Sequence, residues 1–290
     1  MSNEYTGVRV IQTNPEHINS VYKDKSLPVD YLDGRIGRHL AQNEYCVLKY
    51  ENGEQKQSVI TRLVDDKLQL VDPNISVGKL KPRNKEQAMA LDALLDPSIR
   101  VVVLTGRAGT GKTLLTLAAA LECFERSQVQ RLLLTRSMSW VGKHGLGALP
   151  GDVEEKFGPY LQNYMSNIEV LLGGRYKTIP DLIEQYRMDF IPIQLIRGAS
   201  WSNACIIADE VQVLGYDEMV ALGTRVGEGS KLIIMGDLGQ RDENIAREKT
   251  GIHKFVNDPR VKASKIVASI ELLKCERSDV ATLFADVFER

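Results

Sequence analysis

The chain has 290 residues, 43% of them hydrophobic and 26% charged, with a formal net charge of −1. That balance fits a soluble globular protein and excludes a disordered or fibrous one, while near-zero net charge removes the global electrostatic footprint of a protein that coats nucleic acid. No apolar run is long enough to cross a bilayer, and Met1-Ser2-Asn3-Glu4-Tyr5 lacks the basic and apolar regions of a secretion signal, so the expected location is the cytoplasm.

At this length one α/β domain with a small attachment is expected, since single domains run to roughly 100–200 residues. Residues 1–80 read as a small, mainly β module. The alternating runs Tyr45 to Tyr50 and Ser58 to Leu63 are separated by turn signals at Asn52-Gly53 and Asp65-Asp66. Asn52 and Gly53 both tolerate positive φ, which makes this pair a hairpin signal. Asp72-Pro73-Asn74 and Val77-Gly78 read as a linker. From Lys81 onward apolar strands alternate with helical stretches, the pattern of a parallel sheet with crossover helices. Candidate strands are 101–105, 131–135, 190–196, 205–209, 231–236 and 265–268, and candidate helices are 85–95, 114–127, 179–186 and 278–288. Cys46, Cys123, Cys205 and Cys275 are widely spaced, which argues against a disulfide framework or a zinc site. Cys205, inside an apolar run, reads as a small buried hydrophobe.

The residues that carry chemistry begin at Gly106-Arg107-Ala108-Gly109-Thr110-Gly111-Lys112-Thr113, which follows the apolar strand Arg100 to Thr105 and precedes the helix-forming run Leu114 to Ala120. Strand, glycine loop and helix in that order form the context of a phosphate loop. Backbone N–H groups of Gly109, Thr110 and Gly111 would face the β-phosphate, helped by the helix dipole. Lys112 would bridge the β- and γ-phosphates of ATP, and the Thr113 hydroxyl would hold Mg²⁺. Ile206-Ile207-Ala208-Asp209-Glu210 sets an acidic pair at the carboxyl end of a second buried strand. In open α/β sheets that is where ligands bind. Asp209 would serve the metal and Glu210 the attacking water. Gln212 and Gln240 lie just past two strand ends, and each either senses the γ-phosphate or braces a loop.

With these motifs in view, the part from Lys81 to the C-terminus resembles the PhoH family, P-loop ATPases related to the core of superfamily one helicases. The resemblance is carried by Lys81-Pro82-Arg83-Asn84-Lys85-Glu86-Gln87, the phosphate loop, Leu149-Pro150-Gly151-Asp152-Val153-Glu154-Glu155-Lys156, Ile196-Arg197-Gly198, Asp209-Glu210-Val211-Gln212 and Glu276-Arg277-Ser278. It implies a RecA-like fold with a mainly parallel sheet, and adenine recognition by Gln87. It also implies that Arg277 acts as an arginine finger, on a nucleotide of its own or a neighbouring subunit. A homo-oligomer, such as a hexameric ring, and RNA or another single-stranded nucleic acid as partner come from the same source. The N-terminal module resembles the segment that joins a PIN nuclease domain to PhoH in tandem proteins, and no PIN domain is expected in this chain. The chain departs from the family pattern at Ser137, Val213 and Leu238, where proline, asparagine and proline are usual.

The leading expectation is therefore an ATP-hydrolysing enzyme dependent on nucleic acid, a helicase among the possibilities. Arg131, Arg136, Lys143 and His144, with Trp140 among them, offer phosphate contacts and a stacking platform, although a lone tryptophan is more often packing. A P-loop kinase and an ATP-dependent regulatory binding module are the alternatives.

Overall fold

The computed structural model describes residues 5–37, 39–137, 153–173, 179–193, 196, 198, 200–240, 250–276 and 287, without the side chains of 35, 36, 153–161 and 179. The N-terminal part contains β1 (Val8–Gln12), α1 (Pro15–Asp24), β2 (Ser26–Pro28), α2 (Gly34–Gly37), β3 (Tyr45–Asn52), β4 (Gln55–Val64) and β5 (Lys67–Leu70). The strands form one sheet in the order β1-β3-β4-β5-β2. The expected hairpin is present: β3 and β4 pair antiparallel down to Asn52 opposite Gln55, and Gly53 takes a φ of +60°. Helix α1 was not anticipated, although its start signals stand in the sequence. The Asn14 side chain accepts from His17 N at 2.9 Å and Pro15 occupies the first turn, where its missing N–H costs nothing.

Strand β3 is buried on both faces. Successive side chains point oppositely, so Tyr45 and Val47 enter the large core beneath the second sheet, while Cys46 and Leu48 join Ile18, Val21 and Leu68 in a smaller one. The expected division near residue 80 is thus bridged by shared packing. Polar contacts reinforce it. Tyr45 Oη donates to Asp92 Oδ2 at 2.8 Å, Arg62 pairs with Asp92 and Asp96, and Asn43 Nδ2 donates to the carbonyls of Lys265 and Val267 at 2.9 and 3.0 Å.

The second sheet holds β6 (Val101–Gly106), β7 (Arg131–Arg136), β8 (Met188–Pro192), β9 (Ala204–Asp209), β10 (Lys231–Gly236) and β11 (Val267–Leu272), in the order β11-β6-β10-β9-β7-β8, every pair parallel. Edge strand β11 does not end the hydrogen bonding, because Glu271 N donates to Thr6 O at 3.0 Å. This capping blunts an edge that would otherwise invite pairing. The described helices of this part are α3 (Lys85–Leu95), α4 (Lys112–Glu125), α5 (Val153–Leu172), α6 (Ile179–Tyr186), α7 (Tyr216–Gly223), α8 (Gly251–Asn257) and α9 (Pro259–Lys262). Two expected strands are displaced: that at 190–196 lies at Met188–Pro192, and that at 265–268 runs Val267–Leu272. In the first, the apolar run continues past the pairing that β7 permits; in the second, pairing with β6 carries the strand on to Leu272, beyond the run that marked it. The expected helix at 278–288 lies outside the described residues apart from residue 287.

The inner strands β6, β7, β9 and β10 are buried on both faces, whereas edge strand β8 exposes Asp189, and each fully buried Leu or Ile contributes roughly 1.5–3 kcal/mol. One lysine is buried with them. Lys231, at the start of β10, donates to the carbonyls of Ala93, Leu94 and Asp96 at 3.3, 2.5 and 2.8 Å. It thereby supplies the orphan carbonyls at the end of α3 with a cation that suits the helix dipole. Among the described residues no helix is long and apolar enough to cross a membrane.

Candidate active site

Strands β6, β10 and β9 are consecutive neighbours, so the loops after Gly106, Gly236 and Asp209 open on the same edge of the sheet. Between them is a cavity of about 360 Å³ lined by Gly109, Gly111, Lys112, Thr113, Asp209, Glu210, Asp237 and Gln240. The two motifs that the sequence separates by almost a hundred positions therefore face one space. A larger apolar groove of about 880 Å³ lies at the opposite ends of β6 and β10, by Val101 and Leu232, and touches none of the phosphate-loop residues.

The loop has the backbone that its glycines allow. Gly106, Gly109 and Gly111 take φ values of +144°, +80° and +95°, a region costly for other residues. Gly111 caps α4, which starts at Lys112, two residues earlier than its apolar pattern suggested. Lys112 Nζ donates to the carbonyls of Gly106 and Arg107 at 2.6 and 2.9 Å, and Thr110 Oγ1 donates to Arg107 O at 3.0 Å. The ammonium thus lies against the loop's own oxygens, and phosphate oxygens would compete for it with full negative charge.

Asp209 and Glu210 occupy different surroundings. Asp209 is buried, with Oδ2 accepting from Tyr164 Oη at 2.7 Å and Oδ1 from Glu210 N at 2.9 Å. Burial pushes its carboxyl above the ordinary range, and the Tyr164 hydrogen bond pulls the other way. Glu210 stands at φ +56°, at the turn out of β9. Its carboxylate accepts from Arg136 Nη2 at 3.0 Å and from Gln212 Nε2 at 2.6 Å. Gln212 then passes the connection on, since its Oε1 accepts from Asp237 N at 3.1 Å, while Asp237 Oδ2 accepts from Ala108 N in the phosphate loop at 3.1 Å. Arg136, Glu210, Gln212, Asp237 and Ala108 form one chain of contacts from the end of β7 to the loop. Gln212 is the brace in it, and Gln240 lines the cavity with its backbone N bonded to Asp237 O at 2.9 Å.

The geometry treats the other candidates unequally. Gln87 is buried and engaged at both ends: Nε2 donates to Thr110 O at 3.0 Å and Oε1 accepts from Arg83 N at 2.9 Å. It props the phosphate loop rather than lining the cavity. Arg277 lies outside the described residues, as do Trp140, Lys143, His144 and Arg197. Its neighbour Glu276 is described, and is tied to the loop of its own chain: Glu276 N donates to Gly109 O at 3.0 Å and its Oε1 accepts from Asn84 Nδ2 at 2.8 Å. Cys205 is buried and its thiol is pushed up to about 12 by that burial, which makes it inert.

Sequence reasoning missed Tyr164, Asn163 and Asn167 on α5 and the contact made by Asp237. Asn163 and Asn167 sit one turn apart and both line the cavity. No local motif announces them. Asp237 had a signal, the acidic residue directly after an apolar strand, but that strand end had drawn attention only to Gln240.

For Mg²⁺, the donor set fits. Thr113 and the carboxylate of Asp209 line the same cavity as the loop glycines and Lys112, and they are the hard oxygen ligands this ion prefers, with substrate phosphates supplying others.

Comparison with known proteins gives one family model and several relatives. The family model described as "PhoH: PhoH-like protein" matches residues 79–289. Protein PhoH2 of Bacillus subtilis (strain 168) is 34% identical across 98% of this chain and 64% of the relative, and Protein PhoH2 of Thermobispora bispora is 32% identical across 80% and 53%. The chain thus spans between about half and two thirds of the length of these relatives. Among solved structures, the SWI2/SNF2 ATPase core domain of Sulfolobus solfataricus matches 57% of this chain and 33% of its own at 14% identity and a TM-score of 0.36. The Pif1 helicase from Candida albicans matches 71% and 43% at 16% identity and a TM-score of 0.33. With the family model extending over most of the sequence and a relative aligned along nearly all of it, this chain belongs to the PhoH family.

Proposed function

We propose that the chain is a Mg²⁺-dependent ATPase whose turnover responds to single-stranded nucleic acid, RNA above all, and that it works as a homo-oligomer. The observation that carries the ATPase reading is the convergence of Lys112, Thr113, Asp209 and Glu210 on one cavity. When bound, Mg²⁺ would neutralise charge on the β- and γ-phosphate oxygens. Thr113 and Asp209 would hold it, and the loop N–H groups and Lys112 would bind the phosphates. Glu210, which lines the same cavity, would accept a proton from the attacking water. Its carboxylate is already oriented by Arg136 and Gln212. The chain of contacts through Asp237 gives the phosphate loop a route to Glu210, so occupancy of one can set the position of the other.

The nucleic-acid part rests on resemblance, supported by Arg136 at the end of β7, beside the site. One assay separates it from the alternatives. Phosphate release is followed with and without single-stranded RNA, with labelled ATP and candidate acceptors present. An RNA-dependent ATPase releases phosphate faster with RNA. A P-loop kinase labels an acceptor instead, and a binding module shows neither response; either result would refute the proposal. Size measured by light scattering tests the homo-oligomer, which a strictly monomeric active chain would exclude.

A further inference from the structure

Helix α5 contributes a side chain that contacts the buried carboxylate of Asp209. Tyr164 is 2% exposed, and it packs among apolar neighbours that include Ile168 of the next turn. A phenylalanine would serve that packing equally well. The hydroxyl, however, is not idle: it donates to Asp209 Oδ2 at 2.7 Å, a charge-assisted contact inside the protein, where such bonds are strongest. With Glu210 N on Oδ1 at 2.9 Å, both oxygens of Asp209 are fixed. A carboxylate has about four lone-pair sites, so one donor on each oxygen sets its plane and leaves acceptor capacity toward the cavity. The same helix presents Asn163 and Asn167 to the cavity, so α5 is a wall of the site and not merely a support behind it.

We propose that Tyr164 is a positioning residue for the Mg²⁺-side carboxylate, holding Asp209 in the orientation in which it receives the metal of a Mg²⁺–nucleotide complex. The inference rests on the ATPase reading above. Partners that orient a metal-binding carboxylate typically affect metal affinity by about 10–100-fold. A tyrosine whose hydroxyl merely satisfies itself in the core would leave metal dependence untouched.

The test is Tyr164→Phe in the full chain, read by nucleotide binding rather than by activity alone. A non-hydrolysable ATP analogue is titrated in chelator and then across a Mg²⁺ series, with thermal unfolding alongside. The expected result is a lowered melting temperature, since a buried carboxylate loses one donor, with the chain still folded, metal-free nucleotide affinity within about twofold, half-saturating Mg²⁺ raised about tenfold, and turnover largely restored by excess Mg²⁺. In an Asp209→Asn background the same change should add nothing, because the oriented carboxylate is gone. A folded Tyr164→Phe chain with wild-type Mg²⁺ dependence overturns the inference while leaving the ATPase reading intact. A wild-type chain without any Mg²⁺-dependent nucleotide binding overturns both. Should Tyr164→Phe fold poorly, 3-fluorotyrosine placed at 164 retains the ring and strengthens the donor. A shift in half-saturating Mg²⁺ then supports the role, and no shift overturns it.

Discussion

Replacing Gly106 by alanine probes the phosphate loop and the sheet together. Gly106 closes β6 at φ +144°, and a Cβ built on it would lie 2.2 Å from Leu272 O and 3.1 Å from the carbonyl carbon of the same residue. Both atoms are backbone, and Leu272 is the register partner of Gly106 in β11. Neither can rotate away, so a strand must move. A non-glycine residue in such a conformation costs about 1–3 kcal/mol, and forcing backbone apart in a packed interior typically costs about 1–3 kcal/mol more. Together the expected loss is about 2–6 kcal/mol, a large share of the ~5–15 kcal/mol that stabilises a typical domain. Urea denaturation of Gly106→Ala should show a much lower midpoint, and nucleotide titration should show weakened binding where the chain remains folded. Gly223→Ala is the control: nothing lies within 4 Å of its Cβ, so stability should hold or rise slightly. Wild-type midpoint and nucleotide affinity in Gly106→Ala would refute the reasoning.

Glu210→Gln should retain ATP but turn it over about 10²–10⁴-fold more slowly, the usual contribution of a positioned base; equal loss of affinity and rate in steady-state and binding assays would place Glu210 in the metal shell instead. Asp209→Asn tests the cost of a buried charge. Because burial raises the Asp209 carboxyl, the ionised form is disfavoured in the folded chain, a penalty that is absent at acid pH and grows as pH rises through the folded value. The nucleotide-free Asn variant should therefore melt higher at neutral pH, by about 0.5–2 kcal/mol, with the gain fading as pH falls. A lower melting point at neutral pH would mean that the hydrogen bonds from Tyr164 and Glu210 outweigh burial. Arg277→Ala should lower turnover more than nucleotide affinity if the arginine stabilises developing charge. If the arginine serves a neighbouring subunit's site, mixing Arg277→Ala with Lys112→Ala subunits should partly restore activity, and no recovery despite proven subunit mixing would place it in its own chain or in a structural role.

The parts of the site that could be read from sequence are those set by local backbone chemistry. The loop glycines announce positive φ, the lysine and threonine that follow are contiguous with them, and Asp209-Glu210 end a strand whose apolar run is unmistakable. Helix α3 also lay where its pattern set it, starting after the Asn84 cap. Tyr164 was invisible for the opposite reason: its contact with Asp209 joins positions 45 residues apart across two elements, and nothing local distinguishes it from a core tyrosine. Gln87 illustrates a subtler case. Its place in the chain was informative, but the direction of its amide, toward Thr110 O and Arg83 N, depends on how α3 packs beneath the loop. The sharing of one core by β3 and the second sheet was hidden too, because the run Tyr45 to Tyr50 reads as an alternating one, the pattern of a strand buried on one face only. The bounds of β8 and β11 moved for a related reason, pairing partners rather than local propensity fixing where a strand stops.

The central claim is that Lys112, Thr113, Asp209 and Glu210 form a working Mg²⁺–ATP site. The most direct measurement is phosphate release from ATP by the purified chain, with Mg²⁺ or with chelator, set beside Lys112→Ala under the same conditions. The account expects Mg²⁺-dependent release by the wild-type chain, and its loss in Lys112→Ala with greatly weakened nucleotide binding, because the ammonium on the phosphate loop is gone. Wild-type turnover by Lys112→Ala, or turnover indifferent to Mg²⁺, would contradict it.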